Sequence, residues 1–228
     1  MMLRDWNELP QYMRTEEVRP YYDILMKKQT SLRIKRAFDF VMALFLLVIL
    51  SPLFLVISIM IIKDSKGGVF YRQERITQYG KKFWIFKFRT MVANADKIGT
   101  QVTVQNDSRI TVVGEKLRKY RLDEIPQLLN IIGGDMSFVG TRPEATKYVK
   151  KYSKEMMATL LLPAGVTSEA SIKYKDEAKL LDLAEDADKV YVEDVLPNKM
   201  KYNLDSLRKF NCFRDLKTMI GTVVEVMR

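Results

Sequence analysis

The chain has 228 residues, a net charge of +10, one cysteine and no histidine. A single cysteine excludes an internal disulfide framework, and the lack of histidine excludes Ser-His and Cys-His nucleophile pairs and the usual zinc sites. Any catalysis must therefore use carboxylates, hydroxyls, Lys and Arg side chains, and a hard cation.

The first 31 residues mix charged side chains with aromatic ones such as Trp6 and Tyr12. We expect residues 1–31 to form an N-terminal extension that contacts a membrane surface or another copy of the chain. The sequence does not fix the oligomeric state, and a homodimer stays open.

A run of 23 residues from Phe40 to Ile62 carries no charge and is interrupted by Ser51 and Pro52. A straight helix of this length would just cross the ~30 Å hydrocarbon core of a bilayer. Pro52 removes a backbone donor, so we expect a kink at this point, with the Ser51 hydroxyl bonding a freed carbonyl.

Positive side chains flank this run on both sides, and positive flanks mark the cytoplasmic face. This favours a re-entrant membrane helix over residues 32–62, which enters and leaves by the same face. A plain transmembrane anchor with a tolerated proline is the alternative. The flanking residues are Arg33, Lys35 and Arg36 before the run, and Lys63, Lys66, Arg72 and Arg75 after it.

Residues 63–228 are expected to form a cytoplasmic catalytic domain. Aromatic and β-branched residues predict a small β-hairpin with strands over 69–76 and 83–88 and a turn at Tyr79-Gly80. Short helices are predicted over 114–120 and 176–189, and a longer one over 142–162 that is ended by Pro163. Residues 94–111 read as a polar loop, and the predicted fold class is α+β, mostly helical.

Apolar residues recur at helical spacing near the C-terminus, from Leu207 to Met227, and basic residues interleave with them. This pattern predicts either a helix packed on the core or a basic amphipathic helix lying among lipid headgroups. The excess of positive charge favours anionic lipid or a phosphate-bearing substrate as partner, and no nucleic-acid motif accompanies it.

Two acidic pairs are candidates for chemistry. Asp123 and Glu124 follow a basic stretch and precede Pro126, a plausible helix start, so nearby cations would keep both carboxylates ionised. Such a pair can hold Mg²⁺ together with phosphate oxygens, although a solvated helix cap also explains it. Asp186 and Asp188 form a D-x-D pattern that is typical of metal sites in glycosyltransferases but also fits a solvated helix face.

Several longer motifs occur in a fixed order, and together they resemble the bacterial sugar transferases known as monotopic phosphoglycosyl transferases. The resemblance covers roughly residues 32–228. The motifs are Arg36-Ala37-Phe38-Asp39, Ser51-Pro52, Phe70-Tyr71-Arg72-Gln73-Glu74-Arg75, Phe86-Lys87-Phe88-Arg89-Thr90-Met91, Leu122-Asp123-Glu124-Ile125-Pro126-Gln127-Leu128 and Gly134-Asp135-Met136-Ser137-Phe138-Val139-Gly140-Thr141-Arg142-Pro143.

The resemblance implies transfer of a phospho-sugar from a UDP-sugar to polyprenyl (undecaprenyl) phosphate with Mg²⁺, and release of UMP. It implies that Asp123 is the nucleophile, through a covalent aspartyl-phospho-sugar, and that Glu124 holds the metal with it. It also implies a monotopic protein of the bacterial inner membrane whose catalytic domain and amphipathic interfacial helices face the cytoplasm. Such a reaction would be the first membrane step in assembling a surface glycan such as an exopolysaccharide.

Five cationic residues are assigned to substrate phosphates by the same resemblance. Lys175 stands where some members have an arginine, so it keeps the charge but loses the bidentate fork. Thr141 replaces the first proline of a Pro-Arg-Pro motif. Two other functions stay open: a non-catalytic, membrane-anchored basic scaffold, and direct glycosyl transfer releasing UDP through Asp186 and Asp188. The five residues are Lys87, Arg89, Arg118, Arg142 and Lys175.

Overall fold

Two small β-structures lie among the helices of this α+β, mostly helical protein. The computed structural model describes residues 3–95, 107–174 and 186–227. The strands are β1 (Phe70–Ile76), β2 (Lys82–Phe88), β3 (Met136–Val139) and β4 (Ala164–Thr167). The helices are α1 (Arg19–Met26), α2 (Gln29–Ile49), α3 (Ser51–Asp64), α4 (Val112–Lys119), α5 (Gln127–Gly133), α6 (Thr146–Val149), α7 (Glu169–Lys173), α8 (Ala187–Val190), α9 (Leu196–Arg208) and α10 (Cys212–Met227).

The predicted hairpin is confirmed, with β1 and β2 antiparallel and Arg75 opposite Phe83. The turn contains Tyr79 at a positive φ of 58°, followed by Gly80 at 75°. Alternation divides the hairpin into two faces. Phe83 and Ile85 point into the core, whereas Trp84 on the other face is exposed.

The parallel pair of β3 and β4 was not predicted, and the long helix predicted over residues 142–162 is wrong. Gly165 donates its backbone N–H to the Thr141 carbonyl, and Ile76 donates to the Glu144 carbonyl. Because non-local donors take these carbonyls, residues 141–145 stay extended. Only the short α6 and a 3₁₀ segment, Met156–Leu161, are helical in that stretch.

The apolar run forms two helices, α2 and α3, that meet at a 62° bend. Ser51 donates its hydroxyl to the Val48 carbonyl at 2.8 Å, which confirms the expected local geometry of the break. In the described part of the chain no single helix is long and apolar enough to cross a membrane. By length and composition alone, α2 and α3 together could do so.

One face of α2 packs on the body of the protein through residues spaced at helical intervals, namely Leu32, Lys35, Asp39 and Ala43. Beyond Ala43 the apolar side chains are largely exposed, up to 65 % for Val48. Burial resumes on α3 at Ile57 and Ile61. The bend between α2 and α3 therefore presents an exposed apolar apex.

The N-terminal extension packs into the core of its own chain. Its apolar side chains Leu9, Met13 and Leu25 are buried in one cluster with Leu161 and Leu207. The segment expected to contact a membrane or a second copy thus contributes to the hydrophobic core of its own chain.

The C-terminal pattern is divided between two helices, and the core-packing interpretation is wrong for the second. Leu207 and Phe210 are buried, but Phe213 on α10 is 82 % exposed and Ile220 is exposed too. The helix is attached through its polar side instead: Asp215 pairs with Lys35 at 2.8 Å and Arg214 with Glu169 at 2.9 Å. An apolar stripe of α10 is left facing outward.

Candidate active site

The acidic pair Asp123-Glu124 lies in a single 3₁₀ turn between α4 and α5. Arg121, just before this turn, adopts a left-handed backbone with φ of 55°, which costs roughly 1–2 kcal/mol for a residue with a side chain. This conformation reverses the chain so that Arg121 stays exposed while Asp123 turns inward and is buried. Gly114 lets α4 approach closely, because a Cβ there would meet the Thr90 carbonyl.

Glu124 is surrounded by cations. Its Oε1 lies 3.0 Å from Lys87 Nζ, and Arg142 donates to it through both guanidinium nitrogens, Nη1 at 3.2 Å to Oε2 and Nη2 at a shorter distance to Oε1. Burial alone would raise the pKa of Glu124, but the charges of Arg142 and Lys87 outweigh it and hold this pKa well below its usual value. The Glu124 carboxylate is therefore ionised at neutral pH.

The pKa of Asp123 is shifted in the opposite direction from that of Glu124. Burial raises the pKa of its carboxyl, the Lys87 charge opposes that rise, and the Glu124 charge adds to it. Its Oδ1 is buried and accepts no hydrogen bond from any described residue. A buried carboxylate oxygen without a partner is costly in a resting structure, and this is typical of a group that meets a ligand.

Arg118 is half-buried at the penultimate position of α4 and lies near Asp123. Burial lowers the pKa of its guanidinium, and the Asp123 carboxylate counters that effect. The structure thus brings Lys87, Arg118 and Arg142 together around the acidic pair. That these three cations bind substrate phosphates stays a prediction.

Two side chains that were not predicted to serve the site hold α5 in place behind the acidic pair. Asn130 accepts from the Phe86 N–H at 2.9 Å and donates to the Trp84 carbonyl at 2.8 Å, which ties α5 to β2. Arg36 donates to the Ile131 and Ile132 carbonyls near the end of α5. The sequence predicts Arg36 only as a positive residue that flanks the apolar run. Its side-chain contacts in the structure reveal that it also holds the end of α5.

The structure gives Arg89 a different role from the predicted phosphate contact. Its guanidinium donates to the backbone carbonyls of Ser65 at 2.7 Å and Lys66 at 2.9 Å, just beyond the C-terminus of α3. Positive charge is favourable at the C-terminus of a helix. Arg89 therefore anchors α3, and Lys175 lies outside the described residues.

The D-x-D pair is engaged in ordinary surface contacts. Asp188 accepts from Lys147 at 2.8 Å and from the Tyr148 hydroxyl at 2.6 Å, and Asp186 accepts from the Lys189 N–H. The predicted helix over 176–189 is described only at its end, as α8 and the residue before it.

Mg²⁺ was expected at the acidic pair, and the donor atoms there are suited to it. In residues 3–95, 107–174 and 186–227 no group of three or more His, Cys, Asp or Glu side chains could hold a metal. Mg²⁺ commonly needs only one or two carboxylates when substrate phosphates supply further oxygens. The unpartnered Oδ1 of Asp123 and the neighbouring Glu124 carboxylate are such donors.

Comparison with known proteins supports the assignment of these motifs. The sequence profile of the family described as bacterial sugar transferase matches residues 30–228. The chain belongs to this bacterial sugar transferase family. The match includes α2, α3, the hairpin and every residue of the acidic and cationic cluster.

Three relatives illustrate the range of this sugar transferase family. A UDP-glucose:undecaprenyl-phosphate glucose-1-phosphate transferase of Escherichia coli is 34% identical over 90% of this chain and 42% of its own length. A putative undecaprenyl-phosphate N-acetylgalactosaminyl 1-phosphate transferase of Bacillus subtilis is 36% identical over 73% of this chain and 93% of its own. The exopolysaccharide production protein ExoY of Sinorhizobium fredii is 39% identical over 58% of this chain and 66% of its own.

Several relatives are much longer than this member. The chain spans 42% of the Escherichia coli protein and 38% of a Xanthomonas campestris protein with the same name. The smaller Bacillus subtilis relative is instead matched over nearly all of its length.

Proposed function

We propose that this chain transfers a sugar-1-phosphate from a UDP-sugar to undecaprenyl phosphate and releases UMP. The observation that carries the proposal is the buried Asp123, which has a free carboxylate oxygen inside a cluster of Lys87, Arg118 and Arg142. A chain without histidine can attack phosphorus with a carboxylate when cations offset the charge of the phosphoryl oxygens. The named activities of the relatives fit this reaction.

In the first half-reaction, an Asp123 oxygen forms a bond to the phosphorus that carries the sugar. The bond from that phosphorus to the bridging oxygen breaks, and UMP leaves with this oxygen. Arg118 and Arg142 bind the diphosphate and stabilise the charge that develops on it. An ionised carboxylate needs no general base for this attack, which suits the absence of histidine.

In the second half-reaction, an oxygen of the lipid phosphate attacks the same phosphorus and releases the Asp123 carboxylate. The product is a polyprenyl diphospho-sugar. Mg²⁺ held by Asp123 and Glu124 would supply charge neutralisation on the diphosphate and on the departing UMP. Lys87 keeps Glu124 oriented through its 3.0 Å ion pair.

The acceptor is an insoluble lipid, so the proposed site must lie at a membrane surface on its cytoplasmic side. The 62° bend, the exposed apolar apex of α2 and α3, and the positive residues at both ends support a re-entrant anchor. The outward apolar stripe of α10 supports a second, interfacial contact. The Lys35–Asp215 ion pair joins α10 directly to α2.

The proposed activity is tested with full-length protein in detergent micelles, a panel of UDP-sugars, and undecaprenyl phosphate. We expect Mg²⁺-dependent release of UMP with one preferred sugar, and formation of a lipid-linked diphospho-sugar. Release of UDP would indicate direct glycosyl transfer. No nucleotide release from any donor would favour the scaffold function.

The interfacial contact of α10 is tested by vesicle flotation of a variant in its exposed apolar stripe and of a control variant just before the helix. Phe213→Glu together with Ile220→Glu should reduce association with anionic vesicles, because two charges enter the stripe that is proposed to contact lipid. Asn211→Glu, an exposed polar position just before α10, is the matched control and should float like the wild type. Equal flotation of all three proteins would remove α10 from the proposed interface.

A further inference from the structure

The inner face of β1 carries polar side chains beside the acidic pair. The strand register places Tyr71 opposite Lys87, Gln73 opposite Ile85, and Arg75 opposite Phe83. Because alternate residues share a face, Arg75 lies on the same side of the hairpin as Lys87, the residue that pairs with Glu124. The buried side chains of Phe83 and Ile85 confirm that this side faces inward.

The far end of β1 is joined to the segment that carries Arg142. Ile76, the residue after Arg75, donates its N–H to the Glu144 carbonyl at 3.0 Å. The backbone of β1 next to Arg75 is therefore bonded to the segment that carries Arg142 and Glu144. The charges of Arg142 and Glu144 both act on the Arg75 guanidinium.

Glu144 acts on Arg75 only through its charge, because no hydrogen bond or close ion pair engages the Arg75 guanidinium within the described residues. The nearby Glu144 carboxylate is occupied elsewhere, because it accepts from the Tyr191 hydroxyl at 2.5 Å and lies 3.8 Å from Lys199. Burial lowers the pKa of Arg75, yet a guanidinium remains charged at neutral pH. A partly buried guanidinium without a hydrogen-bond partner carries a desolvation cost, and a bound anion would offset that cost.

We propose that Arg75 is a phosphate-binding residue, which binds a phosphoryl oxygen beside Arg142 on the inner side of β1. The inference rests on the proposed function for the identity of the phosphate. Two sources share this chemistry, the diphosphate of the nucleotide donor and the phosphate of the lipid acceptor. Arg75 is a binding residue in this account, and the attacking group remains Asp123.

The test compares Arg75→Ala and Arg75→Lys with Arg72→Ala in the full chain in detergent micelles. Arg72 is the matched control because it lies on the same strand but on the opposite, exposed face, across from Phe86. The probes are equilibrium binding of UDP and of inorganic pyrophosphate, and the dependence of the rate on undecaprenyl phosphate. Melting temperatures of all three variants identify any loss of folding.

We expect Arg75→Ala to weaken one phosphate contact roughly 10- to 100-fold, the loss typical of a charge-assisted hydrogen bond. Weaker binding of UDP and pyrophosphate assigns Arg75 to the donor. Unchanged binding with a raised KM for undecaprenyl phosphate assigns it to the acceptor. Arg75→Lys, which keeps the charge but loses the fork, should recover part of the effect, and Arg72→Ala should match the wild type.

Folded Arg75→Ala protein with UDP affinity, pyrophosphate affinity and lipid KM all within twofold of wild type would overturn the inference. The proposed function fails separately, when wild-type protein binds UDP or pyrophosphate but releases no UMP from any UDP-sugar. In that case the UDP and pyrophosphate affinities alone still decide whether Arg75 binds phosphate. Wild-type protein that binds neither probe and shows no turnover would refute both.

Discussion

Replacing Glu124 by Gln should weaken the fold and slow the reaction, yet strengthen the binding of a nucleotide diphosphate in the absence of metal. Glu124 occupies Lys87 and Arg142 in the resting structure, with contacts at 3.0 and 3.2 Å. A phosphate that binds these cations must compete with it. Gln keeps the shape of the side chain and removes only the charge.

The magnitudes follow from burial and charge. Removing one partner of a buried ion pair costs about 3–5 kcal/mol. Since the side chains of Lys87 and Arg142 keep 24% and 30% of their exposure, solvent screens the interaction and we expect a loss below that range. A loss of about 2–3 kcal/mol lowers the melting temperature by about 4–12 °C for a chain of this size.

The gain in binding comes from removing a negative charge near the diphosphate. At an effective dielectric constant of about 20 and a separation of roughly 8 Å, a unit charge contributes about 2 kcal/mol. That corresponds to an affinity for UDP up to roughly 30-fold higher in EDTA. Turnover with Mg²⁺ should fall instead, because Glu124 is proposed to hold the ion.

The assays are thermal melting, UDP binding in EDTA, and UMP release with Mg²⁺, each measured on Glu124→Gln and on Glu16→Gln. Glu16 is exposed and lies in the N-terminal extension, distant in sequence from Glu124, so its variant controls for the loss of one negative charge. Weaker UDP binding in EDTA by Glu124→Gln, or a melting temperature equal to that of the wild type, would refute the proposed competition.

Three further outcomes are expected. Burial raises the pKa of Asp123, so UMP release should be lost, as the pH falls, at a higher pH than for an ordinary aspartate. Arg118→Met removes a cation that lowers this pKa and should move the loss of activity to a still higher pH. An unchanged pH-rate profile in Arg118→Met would contradict the role of Asp123 as the ionised nucleophile. Asn130→Ala removes two hydrogen bonds to β2 and should cost about 2–4 kcal/mol, seen as a melting temperature about 5–15 °C lower, whereas the neighbouring Leu129→Ala should change it little. In a Cys212→Ser background, cysteines at Gln29 and Ser65 should both be labelled from the cytoplasmic face, and labelling from opposite faces would refute the re-entrant anchor.

The parts of the fold that depend on local patterns could be predicted from the sequence. The hairpin follows from alternating side chains on both sides of the Tyr79-Gly80 turn, and the bend from Ser51 and Pro52. The resemblance assigns the acidic pair, Lys87 and Arg142 through the motifs that contain them, and Arg118 through its place shortly before Asp123. Each of these signals lies within a few consecutive residues.

Features that depend on distant contacts were missed. The parallel pairing of β3 with β4 joins two four-residue strands whose partners are far apart in sequence. The helix predicted over 142–162 fails because Gly165 and Ile76 take the carbonyls of Thr141 and Glu144. A helical apolar pattern also cannot tell a core from a membrane surface, and α10 presents that pattern outward.

Arginine roles were the hardest part of the site to predict. Arg89 lies inside a motif but donates to the carbonyls after α3. Arg36 and Arg75 are both predicted as membrane flanks, but Arg36 donates to the end of α5 and Arg75 lies near Arg142 and Glu144. Strand alternation was the available signal for Arg75, because its face of the hairpin also carries Phe83, Ile85 and Lys87.

The central claim, that Asp123 attacks phosphorus, is tested most directly by mixing the enzyme with its UDP-sugar donor and Mg²⁺ in the absence of lipid. Covalent attack by Asp123 predicts release of UMP up to one equivalent per enzyme, and a rise in intact mass of one phospho-sugar that maps to Asp123. Asp123→Asn should abolish both signals, because the amide cannot act as the anionic nucleophile. UMP that appears only after undecaprenyl phosphate is added, with no adduct on rapid quench, would contradict the covalent mechanism and support direct transfer in a ternary complex.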